Sequence, residues 1–325
     1  MKPFQALTSL LAAVGLALAA ASPAAAQQPY PNRTVTIVVS FAPGGVTDVI
    51  ARLYAQKLTA RTGTSFVVEN RIGAGGMIGT DSLARSKPDG YTLGVFLDSN
   101  TIQPALVAKM NSDPIKDFAP VSMLAIGSHI IVAHPSFPAN SIKELVDYAK
   151  ARPGEAYASP AQGTAQHLGM ELLKLKAGLQ LTHIPYKGGG QAINDVVAGQ
   201  VKLAVLGLAP ALPFIKDGRL KALAVTGEKR TPALPDVPTV GETVPGVSTL
   251  QWFGLVAPAG TPADIIQKLH REVLAIAADP EVEQRITAIG LETRTSAQPA
   301  DLTKFMEQDL LKWPPLVRAA GLKPE

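Results

Sequence analysis

Short β-branched runs alternate along this chain with longer runs in which apolar residues return every three or four positions. Residues 34–41 are rich in Val, Ile and Thr and lead into Ala42-Pro43-Gly44-Gly45. Val46, Val49, Ile50, Leu53, Tyr54 and Leu58 then recur at helical spacing, and Gly63 is placed to stop the helix. Residues 65–68 predict a second strand, followed by Gly73-Ala74-Gly75-Gly76 and a helix through Ser86. Residues 91–97 are almost continuously apolar, as a central parallel strand should be. This βαβαβ order predicts right-handed crossovers and a parallel sheet.

A second unit begins near residues 130–132. Ser141 with Glu144 has the spacing of a capping box for a helix through Lys150. Strands are expected at 156–159, 181–186, 201–206 and 220–226, with helices at about 164–177 and 191–198. Residues 231–245 are rich in Pro, Thr and Gly and predict an irregular connection. Residues 250–257 predict a strand that returns to the first unit. Helices follow at 262–278, at 281–289 and from about Pro299. Pro314 and Pro315 are expected to kink or break the last one. The pattern gives an α/β protein of two lobes with two chain crossings, the first lobe being discontinuous. The expected division is 27–128 with 250–325 as lobe 1, and 129–249 as lobe 2. A cleft between such lobes, at the carboxyl edges of the strands, is the expected place for a ligand.

The first 26 residues follow a different pattern. Lys2 is a positive start, residues 10–21 are an apolar run, and Ala24-Ala25-Ala26 is a small-residue cleavage site before Gln27. That is a secretory signal peptide. Its apolar core is short of the ~20 residues that span a bilayer, so export to the periplasm with cleavage near Ala26 is expected, and no membrane insertion. The chain has no cysteine, which excludes a lipid-anchored cysteine and disulfide staples and fits a bacterial periplasmic protein with a large core.

Charge narrows the partners only a little. The formal net charge is +4, or +3 once Lys2 is removed. The basic residues are scattered, so no nucleic-acid surface is expected. Low aromatic content argues against a sugar receptor lined with Trp.

The chemistry is expected in the Gly-rich turns. Phe41-Ala42-Pro43-Gly44-Gly45-Val46-Thr47-Asp48 joins a strand to a helix. Glycines admit close approach of a ligand, and a helix start offers unpaired N–H groups with partial positive charge, which suits a carboxylate. The same residues read equally as a plain turn in which Thr47 or Asp48 caps the helix. Asp98-Ser99-Asn100-Thr101 ends the third strand and either lines the cleft or caps the next helix. Ser159-Pro160-Ala161-Gln162-Gly163-Thr164 is the second lobe's best anion site. Lys187, before Gly188-Gly189-Gly190, is either a carboxylate partner or a solvated surface lysine. Gly73, Gly75, Gly76 and Gly79 lack the spacing and the strand position of a dinucleotide fingerprint. No cofactor and no metal site are expected.

Enzyme signatures are missing. There is no Cys nucleophile and no G-x-S-x-G elbow, and His129, His134, His167, His183 and His270 include no HExxH pair. His167 reads first as a packing or surface histidine. The chain is therefore expected not to be an enzyme, with a hydrolase or isomerase on the same scaffold as the least favoured reading.

Ordered motifs over the whole mature chain carry a resemblance. They are Tyr30-Pro31-Asn32-Arg33, Pro43-Gly44-Gly45 with Asp48, Glu69-Asn70-Arg71 before Gly73-Ala74-Gly75-Gly76, and Pro88-Asp89-Gly90-Tyr91-Thr92-Leu93. Gly163-Thr164 with His167-Leu168, Pro185-Tyr186-Lys187-Gly188, Leu223-Ala224-Val225-Thr226 and Pro235-Asp236-Val237-Pro238-Thr239 follow. Trp252-Phe253-Gly254 and Pro258-Ala259-Gly260-Thr261-Pro262 complete them. In these the chain resembles the tripartite tricarboxylate transporter receptor family, or Bug receptors. The resemblance implies a Venus-flytrap solute-binding protein of the type II periplasmic class, each lobe a mainly parallel sheet flanked by helices. It implies a small carboxylate ligand held mainly by backbone N–H groups and waters, and delivery to the membrane permease subunits of a tripartite transporter. A signalling protein as docking partner is the alternative. A monomer is expected, because such a receptor must open and dock. By this resemblance Phe41, Ala42, Gly44, Gly45 and Asp48 lie on the first-lobe side, and Ser159, Thr164, His167 and Lys187 on or near the second-lobe side. Gly163, Asp98 and Ser99 complete the candidate ligand residues.

Three positions depart from the family's pattern. Ala161 stands where Gly is common. Leu206 and Gly207 replace a polar, frequently acidic, pair, which makes an amino-acid ligand less expected. Asp98 stands where small neutral residues are common, and a charged carboxylate there is expected to repel a second anionic group on the ligand.

Overall fold

The computed structural model of the protein describes residues 29–323, so the signal segment at 1–26 lies outside the described residues. Contacts divide the chain into Met1–Asn32 and Arg33–Glu325, and the second unit carries every element below. In its first part β1 (Val35–Val39), β2 (Phe66–Asn70) and β3 (Thr92–Leu97) are parallel neighbours, in the order β2-β1-β3. The β1 run VTIVV is almost fully buried, the expected state of a β-branched strand covered on both faces. Helix α1 (Val46–Thr62) follows β1. It ends at Gly63, whose φ of 70° no side-chain-bearing residue adopts cheaply. Helices α2 (Met77–Ala84) and α3 (Asp98–Leu106) follow β2 and β3.

The next strand, β4 (Phe118–Ala133), organises the whole unit. From Phe118 to Ser128 it pairs antiparallel with β9 (Leu250–Pro258). From His129 to Ala133 it pairs antiparallel with β7 (Leu203–Gly207), and beside it lies β8 (Lys221–Val225). Beyond β7 come β5 (Glu155–Ser159) and β6 (Leu181–Pro185), both parallel. The strand order is β2-β1-β3-β9-β4-β7-β5-β6, and β10 (Leu291–Thr293) and β8 also pair with β4. The sheet is therefore mixed. β3 lies antiparallel to β9, and β7 antiparallel to β4, so each half is less parallel than the sequence suggests. The neighbour of β3 comes from residues more than 150 positions away, which no local pattern reveals.

Helices α4 (Ile142–Ala151), α5 (Ala165–Ala177), α6 (Gly189–Val197) and α7 (Leu208–Lys216) flank the second half. The stretch 231–245 is mostly irregular, with one short helix, α8 (Val240–Thr243), capped by Thr239 and Glu242. Helices α9 (Ala263–Ala277), α10 (Pro280–Ala288) and α11 (Pro299–Ala319) pack on the first half or across it. Residues 118–128, α7 and β10 were not expected from pattern.

The double proline gives a clear difference. Helix α11 runs through Pro314 and Pro315 without ending. Trp313, Leu316 and Val317 are buried against Ile102 of α3 and Leu168 of α5. Each large apolar side chain so buried contributes about 1.5–3 kcal/mol, which offsets the lost backbone hydrogen bonds.

Strand alternation builds the second core. Ile131 and Val205 face one layer, and Ile130, Ala204 and Leu206 face the other. In the first half Phe96, Phe118, Met123, Trp252 and Leu302 cluster together.

Candidate functional site

Register places the turns. β1, β2 and β3 are parallel, so the turns after Val39, Asn70 and Leu97 share one edge of the first half. Leu97 lies opposite Phe253, and β9 begins beyond it at Leu250, opposite Ser128. β4 therefore leaves the first half at this same edge. In the second half His129 lies opposite Gly207, the carboxyl end of β7, and β5 and β6 run parallel to β7. The turns after Ser159, Pro185 and Gly207 hence lie at the edge nearest His129. The carboxyl edges of the two halves face each other across the Ser128–His129 junction.

In the first half Asp48 shapes the turn. Its Oδ2 accepts from the Gly44 N–H at 3.0 Å and from Arg52 Nε at 2.8 Å, and its Oδ1 accepts from Asn70 Nδ2 at 2.9 Å. Asn70 Nδ2 also donates to the Phe41 carbonyl at 2.9 Å. Arg52 holds the Asp48 carboxyl down at about 2. Asp48 is buried and its oxygens are taken, so it positions the loop from beneath. Gly44 and Gly45 direct their N–H groups inward, the latter to the Ala42 carbonyl. Among the described residues the N–H groups of Val46, Thr47 and Asp48 take no protein acceptor, as a helix's first turn leaves them. They are the turn's free donors, where glycine content alone had pointed to Gly44 and Gly45. Ala42, Gly44 and Gly45 are exposed and Phe41 is half-buried, its ring against the Gly76 backbone.

The third turn opens α3. Asn100 Oδ1 accepts from the Leu97 N–H at 2.9 Å, and Ser99 is half-buried beside it. Asp98 is buried, with Oδ2 3.8 Å from His129 Nε2. Burial, and then the nearby Asp309 carboxylate, push the Asp98 carboxyl up to about 7. The repulsion expected from a charged Asp98 is correspondingly reduced. His129 is fully buried with neither ring nitrogen bonded, and burial pushes it down to about 4. Asp309 ties the junction together. Its Oδ2 accepts from Thr101 Oγ1 at 2.6 Å and from the indole N–H groups of Trp252 and Trp313, each at 3.2 Å.

In the second half the turn 159–164 is closed on itself. Ser159 Oγ and Thr164 Oγ1 both donate to the Ala161 carbonyl, at 3.0 and 2.9 Å. That carbonyl points inward, so the planar trans peptide turns the Gln162 N–H outward. Gly163 has φ of 74° and sits against Leu106 of α3. Thr164 Oγ1 accepts from the His167 N–H at 3.3 Å, capping α5. His167 is buried under the turn, and its Nδ1 accepts from the Gly163 N–H at 3.1 Å. Lys187 is exposed at the next turn. The structure thus gathers Phe41, Ala42, Gly44, Gly45, Asp98 and Ser99 at one edge, and Ser159, Gly163, Thr164 and Lys187 at the other. Asp48 and His167 lie behind the two turns. His183 was not expected, yet it bonds Ser159 and stacks on His167. The signal available was the pairing of β5 with β6, which brings it beside Tyr157.

Among the described residues no helix is long and apolar enough to cross a membrane, and no group of three His, Asp or Glu is placed to hold a metal.

Residues 50–322 match the family model described as the tripartite tricarboxylate transporter family receptor. The chain is 38% identical to protein BugT of Bordetella pertussis, over 98% of this chain and 99% of that one. The solved structure of R. palustris Rpa4515 with adipate superposes with a TM-score of 0.81 at 35% identity, covering 91% of this chain and 100% of that one. MatC from Rhodopseudomonas palustris with bound malate gives 0.76 at 32%, covering 89% and 100%.

Proposed function

The chain belongs to the tripartite tricarboxylate transporter receptor family, and from that premise we propose that it captures a small carboxylate between two lobes and delivers it to the permease subunits of such a transporter. The family consists of periplasmic solute-binding receptors, not enzymes, and the fold is the α/β fold of periplasmic binding proteins. On this reading lobe 1 comprises 27–128 and 250–325, lobe 2 comprises 129–249, and the leader is cleaved near Ala26.

One observation carries the reading: the carboxyl edges of both halves face each other, and each offers backbone N–H groups that have no protein acceptor. In lobe 1 these are the first-turn N–H groups of Val46 and Thr47, at the positive end of a 17-residue helix. In lobe 2 the donor is the outward Gln162 N–H, beside the start of α5. Such an array suits the oxygens of a carboxylate and needs no charged side chain. The related Rpa4515 and MatC carry adipate and malate, and both are dicarboxylates. Capture follows by closure about the His129 junction, the ligand binding the closed form better.

The test is chemical. The mature protein is purified, denatured, and its released small molecules are identified by mass spectrometry. Refolded protein is then titrated calorimetrically with mono-, di- and tricarboxylates. A stoichiometric acid or saturable binding of one of them is expected. Absence of both overturns the carboxylate reading.

A further inference from the structure

Resting on the reading that the 159–164 turn receives one end of the ligand, we propose that His167 and His183 are positioning residues of that turn, which keeps its receiving shape only while His167 is neutral.

Hydrogen-bond direction fixes the tautomer of His167. Nδ1 of His167 accepts the Gly163 N–H at 3.1 Å, so it carries no proton. A neutral ring then holds its proton on Nε2, which lies 3.7 Å from Glu171 Oε1. Ser159 gives its one hydroxyl proton to the Ala161 carbonyl. Its Oγ also lies 2.7 Å from His183 Nε2, the second hydrogen bond of that hydroxyl. The two imidazoles stack face to face, 3.8 Å between centroids and 13° apart, and Tyr157 stacks on His183 at 5.1 Å.

Each ring thus holds one end of the turn: His183 holds Ser159 at its start, and His167 holds Gly163 near its end. Protonating Nδ1 of His167 would set an N–H against the Gly163 N–H and remove the acceptor. A charge on both rings would place two cations 3.8 Å apart in a mostly buried site.

The charged and titratable groups around the stack are few. From α5 come Glu171 and Lys174, which are paired at 2.7 Å. From β5 comes Tyr157, whose hydroxyl donates to Glu171 Oε1 at 2.7 Å. Glu171 already receives those two donors. Burial, helped by the Lys174 charge and, for His183, by the neighbouring His167, holds each ring near 4, so both are neutral at ordinary pH.

The test separates the turn from the ligand. In ligand-free ¹⁵N-labelled protein, the Gly163 amide protection factor and the His167 ring-nitrogen shifts are followed from pH 7.5 downward. We expect an unprotonated Nδ1 at pH 7, and protection of Gly163 that falls at least tenfold as His167 titrates. His167→Gln keeps an acceptor that does not titrate, and its Gly163 protection should stay constant over that range. His183→Phe keeps the stack without the hydrogen bond to Ser159 and should lower the protection several-fold. A protonated Nδ1 at pH 7, or Gly163 protection indifferent to His167 titration, overturns the proposal; indifference to His183→Phe removes His183 from it. With adipate as the probe, the ratio of wild-type to His167→Gln affinity should fall at least tenfold over the same titration. The probe's own ionisation cancels in that ratio. If adipate does not bind, the ligand reading loses support while the amide measurements still decide the proposal.

Discussion

Asp48 accepts the Gly44 N–H at 3.0 Å from four residues further along the chain. That one bond turns the Pro43-Gly44-Gly45 backbone back over the start of α1. It also withdraws Gly44 from any ligand and leaves the first-turn N–H groups of Val46 and Thr47 as the donors without a protein acceptor. Asp48 should therefore act on binding without touching the ligand. Asp48→Ala removes the acceptor of the Gly44 N–H and one of two partners each from Arg52 and Asn70, and should cost about 2–4 kcal/mol of stability, since bonds to a charged acceptor are each worth ~1.5–3 kcal/mol. Affinity for the ligand should fall at least tenfold, and Asp48→Asn should recover part of both. Urea unfolding and calorimetry read the two effects separately. Full affinity in Asp48→Ala would show that the turn holds its shape without it.

Gly163 tests the second turn. Its φ of 74° strains any L-residue, and a Cβ there would lie 2.7 Å from Leu106 Cδ1. Gly163→Ala should destabilise the protein by about 1–2 kcal/mol from the left-handed backbone alone. Adding Leu106→Ala relieves the contact but not the backbone strain. A double-mutant cycle in urea should thus show partial recovery at most, and complete recovery would assign the whole effect to the clash.

Acid should weaken the fold well before the ordinary carboxylates titrate. Burial lowers His129, His167 and His183 to about 4 from the ordinary 6.5, and raises Asp98 to about 7 from 3.8. Between pH 6.5 and 4 the unfolded chain binds three imidazole protons that the folded chain refuses. The folded chain holds one Asp98 proton that the unfolded chain releases. The unfolded state is ahead by 3 − 1 = 2 protons, so stability falls as pH falls through this window. His129→Phe removes one refused proton and two unbonded buried nitrogens. It should stabilise the protein near neutrality by about 1–2 kcal/mol and flatten the slope from two protons to one. Thermal unfolding across pH 7 to 4 measures this, and an unchanged slope would contradict the assignment of His129.

Asp309 should matter to both the hinge and Asp98. Asp309→Ala leaves the indoles of Trp252 and Trp313 without their acceptor, while Thr101 Oγ1 keeps the Asp98 carbonyl at 2.9 Å. Buried unsatisfied donors cost ~1–3 kcal/mol each, and a loss of about 2–5 kcal/mol is expected. The Asp98 carboxyl should titrate lower in this variant, because the Asp309 charge is one cause of its elevation. Carbon-13 NMR of the Asp98 carboxyl checks the shift, and an unmoved titration would leave burial as its whole cause.

Much of this arrangement is visible in the residues themselves. The β-branched run before Ala42-Pro43-Gly44-Gly45, the helical recurrence from Val46 to Leu58 and the stop at Gly63 are local signals, and the structure follows them. So is Ser141, three residues before Glu144, which caps α4 as that spacing predicts. Local signals suffice there because backbone propensity, capping and turn chemistry act within a few residues.

Other features depend on contacts between distant segments. Whether Asp48 meets a ligand or the Gly44 N–H depends on Asn70 and Arg52 closing around it. His183 becomes part of the site because β5 and β6 pair with Tyr157 opposite it. Pro314 and Pro315 stay helical because Trp313 and Leu316 are buried against two other helices.

The sequence by itself determined the alternation of strands and helices, the Gly-rich turns and the family, since each is written in short motifs and their order. Only the tertiary structure decided the mixed sheet, the buried Asp98, His129 and Asp309 junction, and which N–H groups remain free. Those follow from register and burial, which arise when segments far apart in the chain exclude water together.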